Sequence, residues 1–278
     1  MDRLEKLVER YLKELQFEGR SGYTVKNYKK HLDKFLKWAS QNNIDFIQIN
    51  GRESKAFRNS LQELNLSPKT INTIIGACKS FYDYLIEEEI IQGHSWITKR
   101  LRVKEELRKP DFLSDEELKV IEEEIERLPY NPKWVFKTML ATGLRVSEAV
   151  NLTSLDVVIQ NGAQFVRVRM GKGKKERYSP VMDEETAKEL IRLSKEKKGK
   201  FFGITVATAK LYAWKIKQKT GINFHSHRLR HTVATRLLAQ GYPIDVVQKV
   251  LEHSDISTTR KYAETLPEAI QKLAVKVE

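Results

Sequence analysis

The sequence has little cysteine and no long hydrophobic run. Cys78 is the single cysteine, so no internal disulfide can form and no cysteine-based zinc or iron–sulfur site is expected. No apolar stretch approaches the ~20 residues that a membrane-spanning helix needs, and the charged N-terminus lacks the apolar core of a signal peptide. We therefore expect a cytoplasmic protein with no membrane partner.

Negative charge is also in short supply. The 278 residues include 50 Lys and Arg against 37 Asp and Glu, which gives a formal net charge of +13. The surplus is shared about equally between residues 1–110 and 111–278. Because neutralised phosphates release condensed counterions, this surplus favours a nucleic-acid partner for both halves. A Lys- and Glu-rich surface with no partner, as in thermophilic proteins, explains the charge about equally well.

Helical periodicity fills the first hundred residues. Apolar residues recur three and four positions apart over residues 4–15 and again over 28–39, which predicts two helices. A third helix is predicted to begin with Ser67 as N-cap and Pro68 in the first turn. Cys78 lies on the apolar stripe of that helix, so a packing role is expected for its thiol. Residues 1–104 are therefore predicted to form an all-helical domain.

A second domain is predicted beyond a linker at the end of a basic stretch, residues 98–110, which has six Lys and Arg residues. The linker, residues 105–111, has no apolar periodicity and contains a proline. The domain that follows, residues 112–278, begins with a capping box at Ser114. Strands are expected only between about 157 and 182, where an apolar face and a basic face alternate on the sequence FVRVRM. The predicted fold class is mainly α, with a mixed α+β second domain that contains a small antiparallel sheet.

Two glycine-containing turns carry basic residues. In ATGLRVSE, Arg145 stands near a predicted helix start, where exposed backbone amides suit a phosphate. In the hairpin GKGKKE, residues 171–176, three lysines project from the tip, but the sequence is not a Walker A loop. Taken singly, each is more often an ordinary surface feature.

The segment HSHRLRH offers a metal site or an anion site. His227 and His231 have a spacing that could share a metal ion, but no cysteine or HExxH glutamate completes such a site. His227 and Arg230 share one helix face and can both donate hydrogen bonds to phosphate oxygens. The anion site is therefore the favoured interpretation.

The segment LEHSDISTTRKYAE adds His253 and Tyr262. Together, the four segments contain two arginines, a lysine, two histidines and a tyrosine. This set suits metal-free attack on a phosphodiester, because guanidinium groups can neutralise the phosphate and a tyrosine can form a covalent intermediate.

In this order, the motifs ATGLRVSE, GKG, HRLRHTVATRLLAQG and LEHSDISTTRKY resemble the tyrosine recombinases, which include the integrases, and are closest to the Xer type. The resemblance covers nearly the whole chain. The Lys- and Glu-rich composition with one cysteine is typical of thermophiles and favours an archaeal Xer protein. The sequence departs from the family pattern at Glu252, where glycine is usual.

The resemblance implies a role for each motif residue. Tyr262 would be the nucleophile, Lys172 the general acid, and two arginines would clamp the phosphate. Two histidines would bind the phosphate and handle the proton. Glu148 and His231 look like supporting residues. The implied catalytic set is Arg145, Lys172, His227, Arg230, His253 and Tyr262.

The resemblance also implies partners. The substrate would be double-stranded DNA carrying a specific site, held between a SAM-like N-terminal domain and the catalytic domain. A homotetramer would act on two duplexes, and a C-terminal helix would pass between subunits. No cofactor and no metal are expected. The candidate DNA contacts are Lys99, Arg100, Arg102, Lys104, Arg167, Arg169, Lys174 and Lys175.

The function implied by the resemblance is site-specific recombination through a 3′-phosphotyrosine intermediate, with resolution of chromosome dimers at a dif-type site. Three alternatives remain: an integrase of a mobile element, a type IB topoisomerase, and a catalytically silent DNA-binding protein. A silent protein would have no reason to keep all six groups in order.

Overall fold

The structure, a computed structural model, comprises two compact units, residues 1–107 and 108–278. The predicted linker, 105–111, spans the point of division, and its extent stays a prediction because 106–110 lie outside the described residues. The expected fold class is confirmed: the chain is mostly helical and has one small antiparallel sheet. The residues that the structure describes are 2–46, 49–92, 96–97, 99–105, 111–169, 176–251 and 275–276.

The first unit is all-helical, as predicted. The N-cap of its last helix is Ser67, whose hydroxyl accepts a hydrogen bond from the backbone of Thr70 at 3.3 Å. A short 3-10 turn at Lys99–Leu101 follows this helix. Its helices are α1 (Asp2–Phe17), α2 (Gly22–Gln41), α3 (Gly51–Glu63) and α4 (Pro68–Glu87).

Helix α3 is an element that the apolar periodicity did not predict. It begins at a capping box in which the side chain of Asn50 accepts from the amide of Glu53 at 3.0 Å. The Glu53 carboxylate accepts in return from the Asn50 amide at 2.9 Å. The spacing of these two residues was a usable signal for a helix start.

The core of the first unit is rich in aromatic rings that cross between helices. The rings of Phe35 and Phe57 meet edge to face with 5.1 Å between centroids, and the Tyr82 ring lies 6.0 Å from that of Phe35. Cys78 is fully buried beside them, and burial raises the pKa of its thiol. The predicted packing role of Cys78 is therefore confirmed.

The second unit begins with the predicted capping box. The hydroxyl of Ser114 accepts from the amide of Glu117 at 3.2 Å, and the Glu117 carboxylate accepts from the Ser114 amide at 3.0 Å. Helices pack against both faces of a small sheet. They are α5 (Asp115–Glu126), α6 (Tyr130–Thr142), α7 (Val146–Ala149), α8 (Glu184–Glu196), α9 (Val206–Thr220), α10 (Ser226–Ala239) and α11 (Ile244–Leu251).

The sheet contains β1 (Val157–Gln160), β2 (Ala163–Val168) and β3 (Arg177–Pro180) in the antiparallel order β1-β2-β3. On one face of β2, Val166 and Val168 join the main core, as the alternation predicts. The other face is not simply basic, because Phe165 is fully buried in a second cluster with residues of α10 and α11. The expectation of one apolar and one basic face is therefore wrong for the first half of β2.

The end of the chain returns to the sheet of its own unit. The amide of Val275 donates to the Val181 carbonyl at 2.8 Å, and the amide of Gln164 donates to the Val275 carbonyl at 3.1 Å. The predicted C-terminal helix, with its apolar stripe from Leu266 to Val277, lies mostly outside the described residues, which omit 252–274. At its end, the described Lys276 forms an isolated antiparallel β-bridge with Ala163 instead of helix.

A glycine is required where α6 ends. Gly143 has φ +67°, the left-handed conformation that favours glycine at a helix C-cap. A Cβ atom at this position would lie 2.4 Å from Cδ2 of Leu251, which is itself buried. Backbone conformation and close packing therefore both exclude a side chain at Gly143.

We expect Gly143→Ala to destabilise the second unit by about 2–4 kcal/mol, from left-handed strain and from overpacking against Leu251. Gly221→Ala is the matched control, because Gly221 caps α9 with φ +72° but a Cβ there would meet no atom within 4 Å. Scanning calorimetry of both variants separates the two contributions. Equal losses of stability would show that the contact with Leu251 is relieved at no cost.

Candidate active site

Arg145 occupies the N-cap of α7 and is held there by Glu148. The amide of Arg145 donates to Oε2 of Glu148 at 2.7 Å, and its Nη1 donates to Oε1 of the same carboxylate at 2.9 Å. The Arg145 side chain is still 37% exposed. The Glu148 carboxylate thus holds the guanidinium in direction, while more than a third of the Arg145 side chain stays exposed. The supporting role of Glu148 in catalysis stays a prediction.

Arg230 approaches the same turn from α10. It is buried, and its Nη1 donates to the carbonyl of Gly143 at 2.8 Å. Gly143 lies two residues before Arg145, so the turn between α6 and α7 links both predicted clamp arginines. The close packing at Gly143 lets α10 come near enough for this bond.

Arg177 is a residue that sequence reasoning missed. Its Nη2 donates to Oε2 of Glu148 at 2.7 Å, and the Arg177 side chain is only 9% exposed. A usable signal existed, because Arg177 pairs with Val168 and residues opposite each other in a sheet share a face. An arginine on the apolar face of a hairpin calls for a buried acidic partner.

His227 lies on the exposed side of α10, three residues before Arg230. Its pKa is lowered from 6.5, first by partial desolvation and then by the positive neighbourhood of His225, His231, Lys210 and Arg230. The imidazole is therefore neutral at pH 7 in the free protein. Lys210 of α9 belongs to this neighbourhood and was not among the predicted residues.

The neighbouring side chains of α10 divide into two roles. His231 is exposed one turn after His227, near enough that its charge affects the His227 pKa. Arg228 is buried and ties α10 to the start of the unit, with ion pairs of 2.6 Å to Asp111 and 3.0 Å to Glu117. Arg228 therefore stabilises the fold, while His227 and His231 are exposed.

The predicted DNA contacts are partly described. In the first unit, Arg100, Arg102 and Lys104 are exposed. In the second, Arg167 donates to the carbonyl of Leu155 at 2.8 Å, and Arg169 pairs with Asp156 at 2.7 Å. The Arg169 side chain remains 43% exposed in spite of its ion pair.

Several predicted residues lie outside the described part of the chain. These are Lys172, Lys174 and Lys175 of the hairpin, together with His253 and Tyr262; the side chain of Lys99 is likewise not described. Within the ranges given above, no three His, Cys, Asp or Glu residues are grouped as a metal site would require. In the same ranges, no helix is long and apolar enough to cross a membrane.

A groove of about 600 Å³ lies between α5, α6, α8 and α10 and is lined by Ile125, Leu140, Met182 and Leu237 among others. None of the predicted site residues that the structure describes lines it. The α10 residues that line the groove fall on the side of that helix away from His227. The described candidate residues are therefore separate from this groove, and exposed His227 lies in a positively charged neighbourhood that suits an anion.

Comparison with protein families decides the class of the chain. The model described as the phage integrase family matches residues 111–268. The model described as the phage integrase N-terminal SAM-like domain matches residues 8–89. The chain belongs to the phage integrase family.

Curated relatives of this integrase-family chain are Xer-type tyrosine recombinases along its whole length. The XerC tyrosine recombinase of Oceanobacillus iheyensis is 29% identical over 99% of this chain and 97% of its own length. The XerA tyrosine recombinase of Pyrococcus furiosus is 28% identical over 96% of this chain and 93% of its own length. The expectation of a tyrosine recombinase of the Xer type, and with it the enzyme class, is confirmed.

Solved structures share the fold of this integrase-family chain. The XerH site-specific recombinase bound to its difH substrate aligns with a TM-score of 0.69 and 22% identity, over 92% of this chain and 80% of that protein. A lambda integrase tetramer bound to a Holliday junction aligns with a TM-score of 0.69 and 18% identity, over 91% and 80%.

We expect the pKa of His227 to rise when duplex DNA binds, because a phosphate next to the ring favours the imidazolium form. Free recombinase should show His227 titrating below 6.5 in histidine-labelled NMR spectra, with His227→Gln used to assign the signal. Raising the salt concentration to release the DNA should restore the free value. A His227 pKa that does not change in saturating DNA would mean that phosphate binds elsewhere.

Proposed function

We propose that this recombinase cleaves and rejoins duplex DNA at a specific site through a 3′-phosphotyrosine bond to Tyr262. One observation supports it most directly. Glu148 holds Arg145, and the Gly143 carbonyl holds Arg230, so that a single turn fixes both arginines. Two guanidinium groups fixed in this way can bind the non-bridging oxygens of one phosphate.

In the proposed reaction, the Tyr262 oxygen attacks the phosphorus and the bond to the 5′ oxygen breaks. His253 takes the tyrosine proton, and Lys172 gives a proton to the leaving 5′ oxygen. The phosphate remains on Tyr262 until a 5′ hydroxyl of a partner duplex attacks it. Since the tyrosine ester conserves the energy of the phosphodiester, rejoining needs no nucleotide cofactor.

The arginines would replace a metal ion in stabilising the transition state. A preorganised donor at a developing oxyanion typically contributes about 3–4 kcal/mol. Arg145 and Arg230 can each supply such a donor, because protein groups already hold them in direction. His227, three residues before Arg230 on α10, would add a hydrogen bond to the phosphate.

For the biological role, we propose resolution of chromosome dimers at a dif-type site by a tetramer on two duplexes, in the cytoplasm with the chromosome. Full-length likeness to Xer recombinases supports this role over that of a mobile-element integrase. The XerH neighbour bound to difH and the lambda integrase tetramer on a Holliday junction support the same assembly. Selecting genomic DNA fragments that bind the purified chain would identify the site.

We expect Tyr262→Phe to keep DNA affinity and to lose all covalent complex, since only the hydroxyl can attack the phosphorus. The measurement is trapping on a nicked suicide duplex that contains the selected site, in the presence of EDTA, followed by denaturing electrophoresis. The control is Tyr242→Phe, because Tyr242 is a tyrosine of the same unit outside the proposed catalytic set.

A covalent adduct that persists in Tyr262→Phe would assign the nucleophile to another residue. Loss of cleavage by the unmodified chain in EDTA would overturn the metal-free mechanism. Adduct formation in Tyr242→Phe and its absence in Tyr262→Phe would support both parts of the proposal.

Lys172→Ala should slow cleavage because the leaving oxygen loses its proton donor. A substrate with a 5′-bridging sulfur should restore the rate, since a thiolate leaves without a proton. The measurement is the single-turnover cleavage rate on matched oxygen and sulfur substrates. If sulfur restores Lys174→Ala or Lys175→Ala instead, the acid is that lysine.

A further inference from the structure

Arg177 is a buried charged residue to which the proposed chemistry gives no role. It is the first residue of β3 and follows directly on the segment 169–176, which carries Lys172. Its side chain is 9% exposed and contacts Glu148, whose side chain is 13% exposed. Burying a charged pair costs desolvation energy, so a plain packing role is better served by an apolar residue.

We propose that Arg177 is a positioning residue for DNA cleavage, which acts on Arg145 through the carboxylate that both arginines share. Oε2 of Glu148 accepts from Arg177 at 2.7 Å, while Oε1 accepts from Arg145 at 2.9 Å. With Oε2 held by a buried guanidinium, the carboxylate has one orientation. The guanidinium of Arg145 is fixed in turn.

Two hydrogen bonds attach the end of β3, and the residues just after it, to the end of α6, which leads into the turn with Arg145. The hydroxyl of Ser179 donates to the Thr142 carbonyl at 2.6 Å, and the amide of Met182 donates to the Ala141 carbonyl at 2.8 Å. Arg177 therefore extends an existing connection between β3 and the end of α6. Strand β3, which follows the Lys172 segment in sequence, is thus joined to the end of α6 just before the arginine clamp.

Charge gives a second reason for Arg177. Arg145 and Glu148 alone form a neutral pair, which would attract a phosphate only weakly. Adding Arg177 leaves the three side chains with a net positive charge. Since Arg177 is buried, this charge strengthens the clamp without offering the phosphate a competing site on the surface.

The proposal rests on the proposed function, and a double-mutant cycle tests it separately. We expect Arg177→Met to lower the single-turnover cleavage rate roughly 100-fold, the order expected for a small displacement of a group that contacts the phosphate. DNA affinity should fall far less than the cleavage rate, because one charge is only a small part of the total phosphate neutralisation that holds the duplex. In an Arg145→Lys background, which already lacks the held guanidinium, Arg177→Met should cost far less.

The matched control is Arg192→Met, which removes an arginine that pairs with the largely buried Glu189 at 2.7 Å, outside the site. It should cleave at the unmodified rate. If Arg177→Met does not fold, judged by its thermal midpoint, Arg177→Lys takes its place in the cycle, because it keeps the buried charge and loses the planar fork.

Two results would overturn the positioning role. One is cleavage by the Arg177 variant at the rate of the Arg192→Met control. The other is an equal loss in both Arg145 backgrounds, which would mean that Arg177 acts independently of the clamp. If the unmodified chain forms no adduct through Tyr262, the proposed function itself fails.

Discussion

The carboxylate of Glu148 is the interaction on which the rest of the site depends. It caps α7, a helix of only four residues that would be unstable on its own and is held by this cap and by core packing of Val146 and Ala149. The same two oxygens hold the guanidinium of Arg145 and that of Arg177. The Glu148 side chain therefore joins the start of α7, the direction of Arg145 and the first residue of β3.

In the short motif RLR of α10, the helical period gives the two arginines different partners and different roles. Arg228 and Arg230 are two residues apart, so they leave the helix in nearly opposite directions. Arg228 pairs with acidic residues and ties the start of the unit to α10. Arg230 turns to the Gly143 carbonyl beside the clamp. Equal residue types in one motif thus serve the fold and the proposed phosphate site.

The surface around His227 carries several positively charged groups, while His227 itself is neutral at pH 7. Partial desolvation and cationic neighbours lower the pKa of His227, so the neutral ring can donate a hydrogen bond without adding charge in the free protein. A phosphate that arrives would reverse the balance and favour the imidazolium form. The charge of this surface can therefore increase when a polyanion binds.

Sequence alone determined what depends on neighbours three or four positions away. Helical stripes, the caps at Ser67 and Ser114 and the hairpin of β2 and β3 follow from local spacing, and the order of motifs indicated the family. Tertiary structure decided two things: the burial of Phe165 on the second face of β2, and the contacts that hold the arginines of the site. Arg177 and Glu148 are 29 residues apart and Arg230 and Gly143 are 87 apart. No local periodicity encodes such pairs, because they form only when separate elements pack together.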